Sequence, residues 1–157
     1  MAEKKPIKSE AGKFAQMSST DTIPAANIPA TNGISKILAT VTGIDGLATG
    51  VTNLYTPSGV SAVITAIIVR PTTITGAGNG PRLKVGNNGT QNNIMTVQNL
   101  SALTSTGDLF RYSAEGIYKL AQTAVSIDLN ITVAATVTTY TFSVDLIGYT
   151  IWVQYFL

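Results

Sequence analysis

Five carboxylates stand between residue 34 and the C-terminus: Asp45, Asp108, Glu115, Asp128 and Asp145. Two of them brought together could cleave a glycosidic bond, one as acid and the other as base or nucleophile, and a local cluster could hold calcium. No two lie closer than seven residues apart, so no contiguous calcium loop exists. Asp128 and Asp145 read as solvated, or paired with Lys or Arg, on neighbouring strands. Serine is abundant, but histidine is absent, so a nucleophilic serine would lack its usual base, and no G-x-S-x-G elbow occurs. Ser35-Lys36 has no supporting pattern. The run Gly76-Ala77-Gly78-Asn79-Gly80 could turn amides toward a phosphate. Its spacing matches neither nucleotide-binding motif, and Pro81 follows where a helix would open, so it reads as a hairpin loop.

Cysteine is absent as well, which removes thiolate chemistry, disulfides and the ordinary zinc, haem and iron–sulfur sites. Asn88, Asn99 and Asn130 each begin a glycan-acceptor triplet, read as an accident of an Asn- and Thr-rich chain. The expectation is a chain that is not an enzyme, with no catalytic residue, no cofactor and no metal. Tyr55, Tyr112, Tyr118, Tyr149, Trp152 and Tyr155 could stack on sugar rings, but read first as core or subunit-interface aromatics. Tyr140 and Phe142 fall in an apolar register and read as core.

The elements that would carry these residues are strands. From Val125 to Val133 every odd position is apolar and the even ones are Ser126, Asp128, Asn130 and Thr132, the period of a half-buried strand. The alternation resumes with Tyr140, Phe142, Val144 and Leu146. Beyond Leu146 both faces turn apolar: Ile147, Tyr149, Ile151, Val153, Tyr155 and Leu157 on one, Trp152 and Phe156 on the other. Leaving six such side chains in water would forfeit on the order of 10 kcal/mol, so a second sheet or, as favoured here, another copy of the chain must cover them. Residues 60–70 are also apolar on both faces, with Val63, Ile67 and Val69 on one and Val60, Ile64 and Ile68 on the other. Further strands are expected at 36–42, 72–75, 82–85, 94–97, 109–112 and 117–121, with no sustained helical period. Gly43, Gly46 and Gly50 read as turns or a hinge. About nine short strands separated by turn signals predict an all-β, antiparallel β-sandwich, jelly-roll-like, over residues 60–157, preceded by a connector with turns at 34–59.

Residues 1–33 are composed differently. Ordering their backbone costs on the order of 30 to 60 kcal/mol, whereas burying Ile7, Phe14, Met17, Ile23 and Ile28 returns about 8 to 15. Ile23-Pro24-Ala25 recurs as Ile28-Pro29-Ala30, and each proline favours extended backbone. This is an extended, non-globular arm that gains order on a partner. Charge separates the two regions again. Four lysines against two glutamates give +2 within residues 1–13, and six cations balance six anions thereafter. A neutral body with only 11% charged residues does not neutralise phosphates, so no nucleic-acid partner is expected. The apolar windows are too short to cross a bilayer, and no apolar run follows the N-terminal lysines as in a secretory signal.

The phrase Phe14-Ala15-Gln16-Met17-Ser18-Ser19-Thr20-Asp21-Thr22-Ile23-Pro24 resembles the N-terminal attachment segments of tailed-bacteriophage virion proteins. Small head-fibre, decoration and tail-fibre proteins begin in this way before a β-rich body, and the phrase from Thr139 to Tyr149 is similar in style to such bodies. The resemblance implies a virion structural protein, assembled in the host cytoplasm, whose arm binds another virion protein, of the capsid or of the tail or baseplate. The long shaft and large tip of a full tail fibre have no counterpart in this sequence, which favours a capsid-bound or small accessory part. Particle anchoring is assigned to Phe14, Ile23, Pro24, Ile28 and Pro29. Burial in a homo-oligomer, a trimer by analogy with phage fibres, is assigned to Ile147, Tyr149, Ile151, Trp152, Val153, Tyr155, Phe156 and Leu157. The alternative is a receptor- or carbohydrate-binding tip that meets a host surface glycan through Asn79, Asn87, Asn88 and Asp108.

Overall fold

The computed structural model describes residues 7–10, 13–16, 35–88, 92–113, 119–121 and 124–151, with backbone alone for 7–10, 13–16 and 119–121. The chain divides into two compact units, 1–30 and 31–157. In the first, β1 (Ile7–Glu10) and β2 (Lys13–Gln16) pair antiparallel, with Ile7 opposite Gln16 and Glu10 opposite Lys13. The arm read as extended thus contains a two-stranded hairpin, an element that has marginal stability by itself.

The second unit is an antiparallel β-sandwich without a helix among the described residues. Its strands are β3 (Lys36–Asp45), β4 (Gly50–Tyr55), β5 (Ser61–Thr75), β6 (Arg82–Asn87), β7 (Met95–Asn99), β8 (Phe110–Ser113), β9 (Lys119–Ala121), β10 (Ile127–Val133) and β11 (Thr139–Ile151). One sheet runs β4-β10-β6-β7; the other runs β3-β11-β5, with β8 and β9 sharing the far side of β5. Most connections cross from one sheet to the other, as in a jelly roll. Only β6–β7 and β8–β9 remain within a sheet.

Between the sheets, the alternating residues of β10 and β11 meet as the sequence period requires. Ile127, Leu129 and Ile131 face Tyr140, Phe142, Val144 and Leu146 across a core that also takes Ile64, Ile67, Val69, Leu83, Val85 and Met95. Each large side chain withdrawn from water contributes roughly 1.5 to 3 kcal/mol, so this layer holds the fold.

Four features depart from the sequence reading. Residues 34–59, read as a connector, supply β3 and β4, one edge strand to each sheet. Gly43 does not interrupt β3: it sits at a bulge with φ +69°, a left-handed conformation that glycine adopts without strain. Residues 61–75 form one strand through Pro71 rather than two. The proline is tolerated because β8 pairs only as far as Val69, leaving that side of β5 an edge, and because the β11 register shifts beside it. Finally, Ile64 shares the core face with Ile67 rather than with Ile68. Thr65 is the extra residue of a bulge, since Ile147 pairs with Ala66 and Gly148 with Ile64, and one inserted residue reverses every later side chain.

Candidate functional site

The sandwich sends the four loop residues of the recognition reading to opposite ends. Asn79 and Asp108 lie at the end where loops 76–81, 100–109 and 134–138 meet. Asn87 and Asn88 lie at the other, at the far end of β6, where the Asn88 N–H donates to the Ser126 carbonyl. No single surface joins them.

At the first end the three loops are tied to one another by their own backbones. The Asn79 N–H donates to Thr136 Oγ1 at 2.8 Å and its carbonyl accepts the Thr136 N–H at 2.9 Å, while the Leu100 N–H donates to Pro81. The amide of Asn79 within the glycine run is therefore spent inside the chain, but the run is not the expected hairpin loop: it carries the chain from β5 of one sheet to β6 of the other. Between the loops lie two adjoining clefts of about 220 and 240 Å³, sharing Gly80 and Ser101. Tyr140 borders the first. Its hydroxyl donates a long 3.5 Å bond to the Leu103 carbonyl, and burial, followed by the charge of Asp108, pushes its pKa up to about 12.

Asp108 is committed to its own loop. One carboxylate oxygen accepts the N–H groups of Thr104 at 2.6 Å and Ser105 at 2.8 Å, and these bonds, that from Ser105 foremost, lower its pKa from the ordinary 3.8. Because the folded pKa lies below the unfolded one, the carboxylate supports the turn fully above the unfolded value and ceases to do so as pH falls through the folded one. The Asp108 carboxyl is expected to titrate below 3.8 in an NMR pH series, with the Thr104 and Ser105 amide shifts following it. A midpoint at or above 3.8 would remove this role.

The other carboxylates do not converge. Asp128 on β10 and Asp145 on β11 belong to different sheets rather than to neighbouring strands, and both point outward, on opposite sides of the sandwich. Asp128 accepts from Asn53 Nδ2 at 3.0 Å and from Ser126 Oγ at 2.7 Å, which buries a position expected to be wet. Asp145, 3% exposed, is ion-paired to Arg70 at 2.6 Å and accepts from Thr40 Oγ1 at 2.8 Å. Among the described residues no group of three acidic or metal-ligating side chains comes together. Among the described residues the aromatics of the sugar platform do not share one surface: Tyr55 and Tyr112 pack against the core and Tyr149 lies on an outer face, while Tyr118, Trp152 and Tyr155 are outside the described residues.

The remaining feature is the outer face of the five-stranded sheet. Register places Ile37, Ile147 and Ala66 in one row across β3, β11 and β5, with Tyr149 beside Val63, then Ile151, on the same side. Toward the loop end the same face becomes polar with Thr40, Asp145, Arg70, Ser143 and Thr141. The outer face of the four-stranded sheet carries Asn53, Lys84, Asp128, Asn130 and Thr132 together with the exposed Val51 and Val133, and Val97 of its edge strand β7 is exposed as well. Ile147, Tyr149 and Ile151 are thus brought together as expected and are each half-buried. Trp152, Val153, Tyr155, Phe156 and Leu157 lie outside the described residues, as do Ile23, Pro24, Ile28 and Pro29. Of Phe14 only the backbone, in β2, is described. Val63, Ala66 and Ile68, from a stretch whose two apolar faces suit a central strand or a subunit contact, join this face; sequence reading missed Ile37 as a member of it. Ile37 alternates with Ala39 and Val41 in the sequence, but a bulge at Leu38 turns it outward while the other two face the core.

No family model and no curated protein matches the chain. Among solved structures, it is similar to a chain of the acidic stable capsid of Helicobacter pylori bacteriophage KHP30. Identity is 13% over 79% of this chain and 100% of that one, with a TM-score of 0.49. A chain of the cyanophage Pam1 capsid asymmetric unit aligns at 16% identity over 86% of this chain and 97% of that one, with a TM-score of 0.47.

Proposed function

We propose that this chain is a structural component of a tailed-phage virion, located in the particle and not catalytic. In this reading it is an oligomeric head-fibre or decoration-type protein, a trimer by analogy with phage fibres, whose arm of residues 1–33 binds another virion protein. The observation that carries the reading is the outer face of the β3-β11-β5 sheet. It brings Ile37, Ile147, Tyr149 and Ile151 to one side, and the sequence that follows, Trp152 to Leu157, stays apolar. The attachment-like phrase at Phe14–Pro24 and the balanced charge of the body support it.

Two jobs on separate stretches make the reading testable. A chain lacking residues 1–33 is expected to remain a folded oligomer by sedimentation and to lose binding to particles in a pelleting assay. Retained binding by a dissociated chain would reverse the assignment of arm and body.

A further inference from the structure

We propose that the cleft of about 240 Å³ where β6 begins, between residues 79–80 and the loop 134–136, binds a carboxylate-bearing sugar, a single uronic acid ring whose carboxylate is held by Arg82. This goes beyond the structural role above and rests on neither the arm nor the oligomer.

Strand register builds one wall of the cleft. Arg82 pairs with Val133 of β10 on one side and Asn99 of β7 on the other, so three exposed residues form a row across the four-stranded sheet. Asn79, Ser101 and Thr136 close the cleft from the loops. Among the described residues no carboxylate lines it and none pairs with Arg82, in contrast to Arg70, which Asp145 neutralises.

Hydrogen bonds already made decide what the other groups have left to offer. Asn99 Oδ1 accepts the Ser101 N–H at 3.0 Å and the Ser101 hydroxyl at 2.6 Å, which fixes the amide's orientation and leaves Nδ2 as its donor end. Ser101 Oγ, its proton spent, is left to accept. Thr136 Oγ1 accepts the Asn79 N–H at 2.8 Å and keeps its own proton to donate. One cation, several donors and an acceptor suit a carboxylate flanked by hydroxyls, and the planar guanidinium can grip that carboxylate through two parallel bonds. A phosphate dianion fits less well. It would meet a single cation, and the amides of Asn79, Ser101 and Thr136 that could cradle it are spent within the chain. Val133, 48% exposed, gives the C–H face of a ring an apolar wall. The volume is that of about eight waters, room for one ring and not for a chain of them.

Titration of the full-length chain with glucuronate, followed by two-dimensional NMR, tests the assignment. The Arg82 side-chain N–H and the Asn99 amide signals should shift together and saturate in the millimolar range, as expected for a ligand this small. Glucose and acetate each carry half of the recognised chemistry and should bind at least about tenfold more weakly. Arg82→Gln should weaken glucuronate binding about tenfold or more, and Arg82→Lys should recover only part of it, because an ammonium lacks the fork. Arg111→Gln, which removes an exposed cation from the other sheet, should change nothing. Equal binding of acetate assigns the site to a bare carboxylate, such as an acidic side chain, and overturns the sugar. Equal binding of inorganic phosphate means an adventitious ion only. Shifts that survive Arg82→Gln, or no shifts at all, overturn the site, and each of these failures leaves the virion reading standing.

Discussion

A Gly148→Val chain is expected to melt at least about 10 °C below the parent and to lose about 3 to 5 kcal/mol of stability. Gly148 pairs with Lys36 of β3 on one side and Ile64 of β5 on the other, opposite the Thr65 bulge. The bulge curls β5 over β11, so that a Cβ at position 148 would land on the Val63 carbonyl oxygen and 3.0 Å from Leu38 Cδ1. Leu38 can change rotamer. The Val63 backbone cannot withdraw, because β5 is held there by β11 on one side and β9 on the other. Gly148→Ala should fall in the same direction by less. Thermal and urea unfolding followed by far-UV circular dichroism decide the matter, and a Gly148→Val melt within 2 °C of the parent, roughly 1 kcal/mol or less, would mean that the two strands separate easily.

Phe142→Ala is expected to cost about 3 to 5 kcal/mol, a large share of the roughly 5 to 15 kcal/mol available to a domain of this kind. The Phe142 ring is fully buried and stands edge-on to Tyr140, with centroids 6.1 Å apart and planes at 68°. Its strand neighbours are Ile44 and Pro71, so the void would open at the centre of the five-stranded sheet, where neither side can collapse. The urea midpoint should drop with an unchanged slope, the mark of lost stability rather than a different unfolded state. Phe142→Leu should recover most of the loss, since it restores volume. An alanine variant as stable as the leucine variant would show that the ring fills no space the core needs.

Much of this architecture was legible because period two is a local property. The alternation of Ile127, Leu129 and Ile131, and that of Tyr140, Phe142, Val144 and Leu146, named the core faces of β10 and β11 without reference to any partner strand. The absence of cysteine and histidine likewise restricted the available chemistry. Strand count was less secure. Nine strands were expected in the body and nine are present among the described residues, but only because joining 61–75 into one strand offsets the unexpected β4.

What composition and period determined was an all-β sandwich, its core residues and the apolar ending at Ile147, Tyr149 and Ile151. What tertiary structure decided was phase and place. Bulges at Leu38, Thr65 and Gly43 leave no sequence signature beyond one glycine, yet each reverses the inward and outward faces beyond it, and so moves Ile37 to the outside and Ile67 to the core. The same holds for the acids and the loops. Asp128 and Asp145, seventeen residues apart, part to opposite faces because the chain changes sheets between them, and Asn79 parts from Asn87 because a whole strand lies between. Side-chain direction along a strand follows from local geometry, but which neighbour absorbs an extra residue, and which sheet a strand joins, is fixed only when distant segments pair.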